Sequence, residues 1–485
     1  MVANQQNHQY NQALFQQLKF KNAEHQLKSM KNNFLTLLAL FCLTSALVSA
    51  QKKPNVIIIY TDDQATLDVN VLGAKDLVSP HMDELLLSGT TFTQFYASPV
   101  CSPSRASLLT GKNPQRAGVP GNAGQDLSAK SGLPPSEYTM AEMFKENGYS
   151  TYLIGKWHLG YQPEMRPNKQ GFDYSFGHLV GCIDNYSHFY YWGGDNNYVG
   201  GPNRHDLYRN DQEIFLDGQY FPDLLVQEAK QVIENKSEKP FFIFFAMNTP
   251  HYPYQGYAKW IKYYREKGVA SPRDLYAAFL TTQDEKIGEL IGLLEANGLR
   301  EDTIVIFQSD NGHSTETRAY HGGGYTGPYR GAKQCLFEGG IRVPASISWP
   351  GKIPANQFRD QMSVNVDWMP TLIELCGFKT DTSDMDGKSL MPIIQNEKTS
   401  SNHRDGYCWE FRNRGKLSWV ARKGKWKLYA HPYDTSRRDY TYSEEFLLFD
   451  LEYDPGESIN LYNQQPQVVA ELTKLYQEWK SQHRK

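Results

Sequence analysis

Neither sign of charge is in excess in this 485-residue chain: 50 lysines and arginines face 53 aspartates and glutamates, a net charge of −3. That balance excludes a polyanion binder held by bulk charge, so nucleic acid is not an expected partner. Three catalytic signatures are missing: the H-E-x-x-H zinc motif, the Gly-rich phosphate loop and the G-x-S-x-G nucleophile elbow. The apolar run from Phe34 to Val48 is too short to span a membrane. No internal repeat or long flexible linker is present. Cysteine is sparse, with six residues in all. Cys182, Cys335, Cys376 and Cys408 are candidates for disulfides in an exported protein, in a pairing that spacing does not define.

What is present is a large apolar inventory. Hydrophobic residues make up 40% and aromatics 13%, enough for an extensive core and incompatible with global disorder. Residues 1–29 are rich in Gln and Asn without a sustained hydrophobic period, and read as an upstream extension. Residues 30–50 have the order of a signal peptide: basic Met30-Lys31, the Phe34–Val48 run, and the small-residue site Val48-Ser49-Ala50. Cys42 follows Phe41, a poor context for lipid attachment, so the expectation is an exported protein, periplasmic or secreted, with no membrane span. The first 50 residues hold four lysines and one glutamate, which leaves the remainder at about −6. An anionic substrate would therefore need a local positive pocket.

From Pro54 onward, strand and helix signals alternate. Val56–Tyr60 is a continuous β-branched run of the kind buried on both faces of a parallel sheet, and Phe241–Phe245 and Thr303–Phe307 repeat it. Helical patterns lie at Ser136–Asn147, Leu224–Asn235 and Asp274–Asn297. The pattern predicts an α/β domain over residues 51–395, with functional residues at the carboxyl ends of its strands. Residues 396–485 differ in texture. A hairpin is expected over Trp419–His431 around Lys423-Gly424, then a strand at Phe446–Leu451 and an amphipathic helix over Gln467–Lys480. These make a smaller antiparallel subdomain.

Polar residues follow the apolar runs in a regular way. Asp62-Asp63 comes after the first; Gly155-Lys156-Trp157-His158 after the Gly148–Thr151 segment; Thr249-Pro250-His251 after the Phe-rich run; and Ser309-Asp310-Asn311-Gly312 after the fourth. Lys333 lies in Arg330-Gly331-Ala332-Lys333, and Cys101-Ser102-Pro103-Ser104-Arg105 precedes Ala-Ser-Leu-Leu-Thr-Gly. Taken singly each has a plain explanation: a helix cap for Asp62-Asp63, a turn for Asp310-Asn311-Gly312, a solvated side chain for either lysine, a satisfied loop residue for either histidine. Their joint occurrence is harder to dismiss. The ligand types at Asp62, Asp63, Asp310 and Asn311 are all hard oxygens, which suit Ca²⁺ or Mg²⁺ better than zinc.

The Cys101–Arg105 motif, the Gly148–His158 segment, and the Leu448–Leu451 and Asp454–Glu457 segments together resemble the type I sulfatases over roughly residues 54–462. The resemblance implies an alkaline-phosphatase-like fold: a large mixed sheet flanked by helices, with a smaller C-terminal antiparallel-sheet subdomain. It implies oxidation of Cys101 to formylglycine by a maturation enzyme, and a Ca²⁺ ion, in preference to Mg²⁺, held by Asp62, Asp63, Cys101, Asp310 and Asn311. Catalytic roles fall on Cys101, Arg105, Lys156, His158, His251 and Lys333. In the implied reaction a hydroxyl of the formylglycine diol, polarised by the metal and Asp310, attacks sulfur. His251 or Lys333 protonates the leaving alcohol, and His158 deprotonates the second hydroxyl to expel sulfate. Arg105 holds the diol and balances the carboxylates, while the metal, the lysines and His251 surround the sulfate with donors and positive charge. Replacing Lys156, Lys333 or His251 by Ala is expected to reduce turnover with little change in stability.

Two competing readings exist. A phosphomonoester or phosphonate hydrolase would use the same pocket, and a non-catalytic glycan-binding relative would keep the fold with Cys101 unmodified. For the sulfatase reading the substrate is a sulfated carbohydrate. The aromatic stretch Tyr186, His188, Phe189, Tyr190, Tyr191 and Trp192 is a candidate sugar platform, since ring faces stack on sugars. With export, it points to an algal polysaccharide or its oligosaccharides, such as ulvan, carrageenan or fucoidan.

Overall fold

The computed structural model describes residues 8, 12–32, 53–191, 204–235, 237–395, 403–413, 415–437, 443 and 445–482, which fall into two units, Met1–Lys53 and Pro54–Lys485. In the first unit residues 12–32 form a helix whose side chains are all exposed. The remainder of the expected signal peptide, from residue 33, lies outside the described residues. No described helix is long and apolar enough to cross a membrane.

The second unit is built on a ten-stranded mixed sheet. Its centre is four parallel strands, β1 (Asn55–Asp62), β2 (Ser150–Gly155), β3 (Phe241–Pro250) and β4 (Thr303–Ser309), in the spatial order β4-β1-β3-β2. β1, β3 and β4 are buried at every position, which is why their sequences read as unbroken apolar runs rather than alternations. Beyond β4 the sheet continues through Ala345–Ser348, Thr90–Phe92 and Gln357–Arg359, and beyond β2 through Tyr174–Gly177, Tyr208–Arg209 and Gln212–Glu213. Ala345–Ser348 runs antiparallel to both its neighbours, so the sheet is mixed as expected.

Helices cover the sheet. Met140–Glu146 starts four residues later than the pattern suggested, because Thr139 and Glu142 form a reciprocal capping box. Phe221–Glu234 and Arg273–Ala296 fall close to their expected positions.

The C-terminal part is a four-stranded antiparallel sheet, Gly406–Asn413, Lys416–Lys423, Trp426–Ala430 and Phe446–Asp450. Lys423 pairs with Trp426 across Gly424, whose φ of +55° suits the tight turn. Side chains alternate between two faces. Tyr407, Trp409, Phe411, Val420, Tyr429 and Phe449 pack with Tyr96, Leu336, Phe337 and Ile341 of the larger part. Cys408, Trp419, Ala421, Leu428 and Leu448 face the helix Pro466–Gln482, where Trp419 stacks on Tyr476 at 3.9 Å. The expectation of disulfides is not met at the three buried candidates: Cys182, Cys335 and Cys408 are thiols.

Candidate active site

Parallel neighbours end on the same edge of a sheet, and here that edge collects the polar residues. Asp62 is the last residue of β1; Lys156 follows β2, His251 follows β3, and Asp310-Asn311 follows β4. Gly155 permits the turn into Lys156. Its φ is +122°, and a Cβ there would lie 1.9 Å from the Ala246 carbonyl oxygen. Two further pieces reach the edge from elsewhere. The helix Cys101–Thr110 brings Cys101 in its first turn and Arg105 one turn later on the same face, and the loop after Arg330 brings Lys333.

The side chains form one buried network. Cys101 Sγ lies 3.4 Å from Asp62 Oδ1, and Lys156 Nζ lies 2.5 Å from Asp62 Oδ2. Arg105 Nη2 donates to Asp310 Oδ2 at 3.1 Å and stands 3.9 Å from Asp62 Oδ1, while its Nη1 donates to the Lys156 carbonyl at 3.0 Å. Asp63, with φ +62°, donates its N–H to Asp310 Oδ1 at 3.1 Å. Its carboxylate receives Lys333 Nζ at 2.7 and 2.9 Å and Asn311 Nδ2 at 2.7 Å. His251 Nε2 stands 3.5 Å from Asp63 Oδ2. All ten residues singled out in the sequence therefore lie in this cluster or against it, and all are buried.

Placement of His158 differs from the rest. Both its ring nitrogens are buried without a hydrogen-bond partner among the described residues, and its backbone has φ +55°. Gly181 leaves room for the ring: a Cβ there would lie 3.0 Å from His158 Cε1. Ser102 holds the segment, donating to the His158 carbonyl at 2.7 Å and accepting from Ala123 N at 3.0 Å. The sequence reading left Ser102 without a role; its place inside the motif was the available signal.

Burial and charge set the protonation states. Burial, then Lys156 and Arg105, push His158 well below the usual histidine range; burial, then Lys333 and Lys156, do the same to His251. His251 Nδ1 faces the Tyr252 carbonyl at 2.8 Å, so Nδ1 carries the proton and Nε2 presents a lone pair toward Asp63. Burial, then the Asp62 charge, raise Asp310 to about 6. Burial, then Asp310, raise the Cys101 thiol well above its ordinary value, so the unmodified side chain is a poor thiolate here.

The donor set suits a hard divalent cation. Ligand atoms of Asp62, Asp63, Cys101 and His251 lie within 4.8 Å of one another. Asn311 Oδ1 is buried with no hydrogen-bond partner among the described residues, as an oxygen reserved for a cation would be. His251 was not among the expected ligands, and only the fold brings it to Asp63. The aromatic stretch is less open than a platform requires. Tyr186 is 41% exposed and stacks on Tyr220, but His188 is buried, and Tyr190 and Tyr191 pack against the core. Trp192 lies outside the described residues.

Comparisons with known proteins agree with this arrangement. Residues 54–378 match the Sulfatase family, and residues 330–484 match the family described as N-sulphoglucosamine sulphohydrolase, C-terminal. N-acetylgalactosamine-6-sulfatase of Mus musculus is 30% identical over 88% of this chain and 85% of that protein. Arylsulfatase A of Homo sapiens is 30% identical over 90% of each. The crystal structure of Ps i-CgsB in complex with k-i-k-neocarrahexaose superposes with a TM-score of 0.77 at 27% identity, covering 88% of this chain and 93% of that one. The PsFucS1 sulfatase from Pseudoalteromonas sp. shares the fold, with a TM-score of 0.75 at 23% identity over 92% of this chain and 93% of that one. This family in general implies a metal ion and a formylglycine residue, and the alkaline-phosphatase-like architecture is common to it. The chain belongs to the sulfatase family and is a sulfuric ester hydrolase.

Proposed function

We propose that this protein hydrolyses sulfate esters on a sulfated polysaccharide or its oligosaccharides, of an algal type such as ulvan or carrageenan. The observation that carries the reading is the buried cluster in which Cys101, at a helix start, meets Asp62 while Lys156 and Lys333 bracket the two aspartates. The likeness to a structure solved with k-i-k-neocarrahexaose supports a glycan substrate. Asp62, Asp63, Asp310 and Asn311, with residue 101, would hold Ca²⁺. Once in place, the cation would supply fixed positive charge and formylglycine 101 a diol nucleophile.

The chain's own groups divide the remaining work. Arg105 neutralises Asp310 and Asp62 and so lets two carboxylates stay close together. Lys156 and Lys333 provide charge fixed before substrate arrives, which needs no reorganisation as charge develops on the bridging oxygen. His158 is held neutral by burial, then by Lys156 and Arg105, and neither ring nitrogen has a partner among the described residues. Those charges oppose its protonation, so taking the proton of the second hydroxyl would need the anionic sulfate beside the ring. Two groups remain candidates for proton donor, Lys333 and His251. Against burial, the Asp63 charge holds the Lys333 ammonium well above its ordinary range, so it releases a proton reluctantly. His251 would have to carry a second proton on Nε2, which burial, Lys333 and Lys156 all oppose. The catalytic part is taken as residues 51–395 and the smaller subdomain as 396–485, after removal of a signal peptide at 30–50 that sends the protein to the periplasm or beyond.

The test is desulfation of a panel of defined sulfated oligosaccharides followed by NMR, with aryl sulfate and aryl phosphate as controls. Loss of sulfate from at least one glycan, with aryl sulfate preferred to aryl phosphate, is expected. Turnover of aryl phosphate alone would favour the phosphohydrolase reading.

A further inference from the structure

Lys333 has an unusual support. Its side chain ends on Asp63, but its backbone lies in a loop with no regular secondary structure, and the next residue, Gln334, has φ +71°. A lysine on four methylenes can hold its ammonium in one place only if its own Cα is fixed. Three hydrogen bonds fix it. Lys333 N donates to the His313 carbonyl at 2.9 Å, and Gln334 N donates to the Pro99 carbonyl, two residues before Cys101, at 2.8 Å. The third comes from the other end of the chain: Thr435 Oγ1 donates to the Lys333 carbonyl at 2.7 Å and to the Ala332 carbonyl at 3.1 Å.

Thr435 is itself anchored between two active-site loops. Its carbonyl accepts from Thr315 Oγ1 at 2.7 Å, in the loop that follows Asp310-Asn311. The preceding residue, buried Asp434, accepts from Arg330 Nε at 2.6 Å, three residues before Lys333, and Arg330 Nη1 donates to the Glu457 carbonyl at 3.0 Å. The segment Arg330–Lys333 is therefore tied to residues that follow the C-terminal hairpin, about a hundred positions later. Lys333 lies in the stretch 330–378 that both family matches cover.

We propose that Thr435 is a positioning residue for catalysis: the C-terminal subdomain reaches into the active site through the Thr435 hydroxyl and sets the place of the Lys333 ammonium. The inference rests on the reading of Lys333 as a group that acts on the sulfate. It explains why the smaller sheet is more than a packing accessory, since one of its loops completes the support of a charged group at the reaction centre.

The test is a double-mutant cycle with Thr435→Val, Thr435→Ser, Lys333→Ala and Thr435→Val/Lys333→Ala, measured on an aryl sulfate together with the melting temperature. Thr435→Val keeps the shape and removes the donor. It is expected to lower kcat roughly tenfold, below the ~10²-fold associated with a misplacement of about 1 Å. Thr435→Ser, which keeps the hydroxyl, should restore kcat to within about twofold of wild type. In the Lys333→Ala background, Thr435→Val should cost nothing further, because the group it positions is gone. The same cycle is read in the thermal shift produced by inorganic sulfate, so a variant with turnover too low to measure still reports. Wild-type kcat in Thr435→Val, an undiminished loss in the Lys333→Ala background, or failure of Ser to rescue would each overturn the proposal. Normal turnover in Lys333→Ala would instead overturn the role given to the lysine.

Discussion

Replacing Lys156 by Met tests the site at a wholly buried ion pair. The ammonium lies 2.5 Å from Asp62 Oδ2, and both side chains are wholly buried. Methionine keeps much of the stem volume and removes only the charge. The next cation, Arg105, stands 3.9 Å from the other Asp62 oxygen and is already engaged with Asp310 at 3.1 Å. A buried charge that loses its partner costs about 3–5 kcal/mol. With about 430 residues in this unit and about 2.1 cal/mol/K of unfolding entropy per residue, 1 kcal/mol corresponds to ~1 °C. Residual help from Arg105 puts the expected fall in Tm at the lower end, about 3 °C. Turnover should fall about 10²-fold or more, as for loss of a preorganised charge. The sequence alone suggested lost turnover with little change in stability; complete burial of the pair changes that expectation. A cation at Asp62 would supply the missing charge, so the deficit measured in chelator should shrink as Ca²⁺ is added. Calorimetry in chelator and in millimolar Ca²⁺, beside aryl sulfate turnover, provides the check. An unchanged Tm in chelator would refute the ion-pair argument, and unchanged turnover would refute the catalytic one.

Cys101→Ala should fold with a Tm close to wild type yet release no sulfate, and mass spectrometry of an active preparation should show formylglycine at position 101; an active preparation carrying only the thiol would end that reading. Elemental analysis should find about one Ca²⁺ per chain, consistent with an oxygen-rich donor set; stoichiometric zinc without calcium or magnesium would contradict it. Asp206 offers a pH test outside the site. Burial raises its carboxyl to about 6, against the backbone N–H groups of Leu179 and Val180 and the Arg204 charge. A native value above the unfolded value means the native state binds more protons between about pH 4 and 6, so this group's contribution to stability is lost as pH rises through that window. Asp206→Asn does not titrate, so its Tm relative to wild type should rise by roughly 3 °C from pH 4 to pH 7; a difference constant with pH would refute the assignment.

Much of this protein was legible in its sequence, for reasons of period and chemistry. Strands buried on both faces have no solvated side to encode, so β1, β3 and β4 appear as unbroken apolar runs, and the residues that follow them fall on one edge by the geometry of a parallel sheet. The hairpin at Gly424 and the final helix were visible because turn chemistry and helical period are local properties. The distance relations were not local. That Lys156 selects Asp62 while Lys333 selects Asp63, and that His251 comes within 3.5 Å of the latter, depends on strand order, which sequence spacing does not encode. The packing of Tyr190 and Tyr191 against the core was likewise hidden, because an aromatic run looks the same whether its rings face sugar or protein. The link from Thr435 to Lys333 was the least accessible, since it joins side chain to backbone and leaves no pattern in residue type. The sequence by itself determined which chemical groups follow the strand ends and stand in the Cys101–Arg105 motif. The tertiary structure decided which of them share a charge, which carry a proton and what holds each in place, because those depend on separations of a few ångströms between segments hundreds of residues apart.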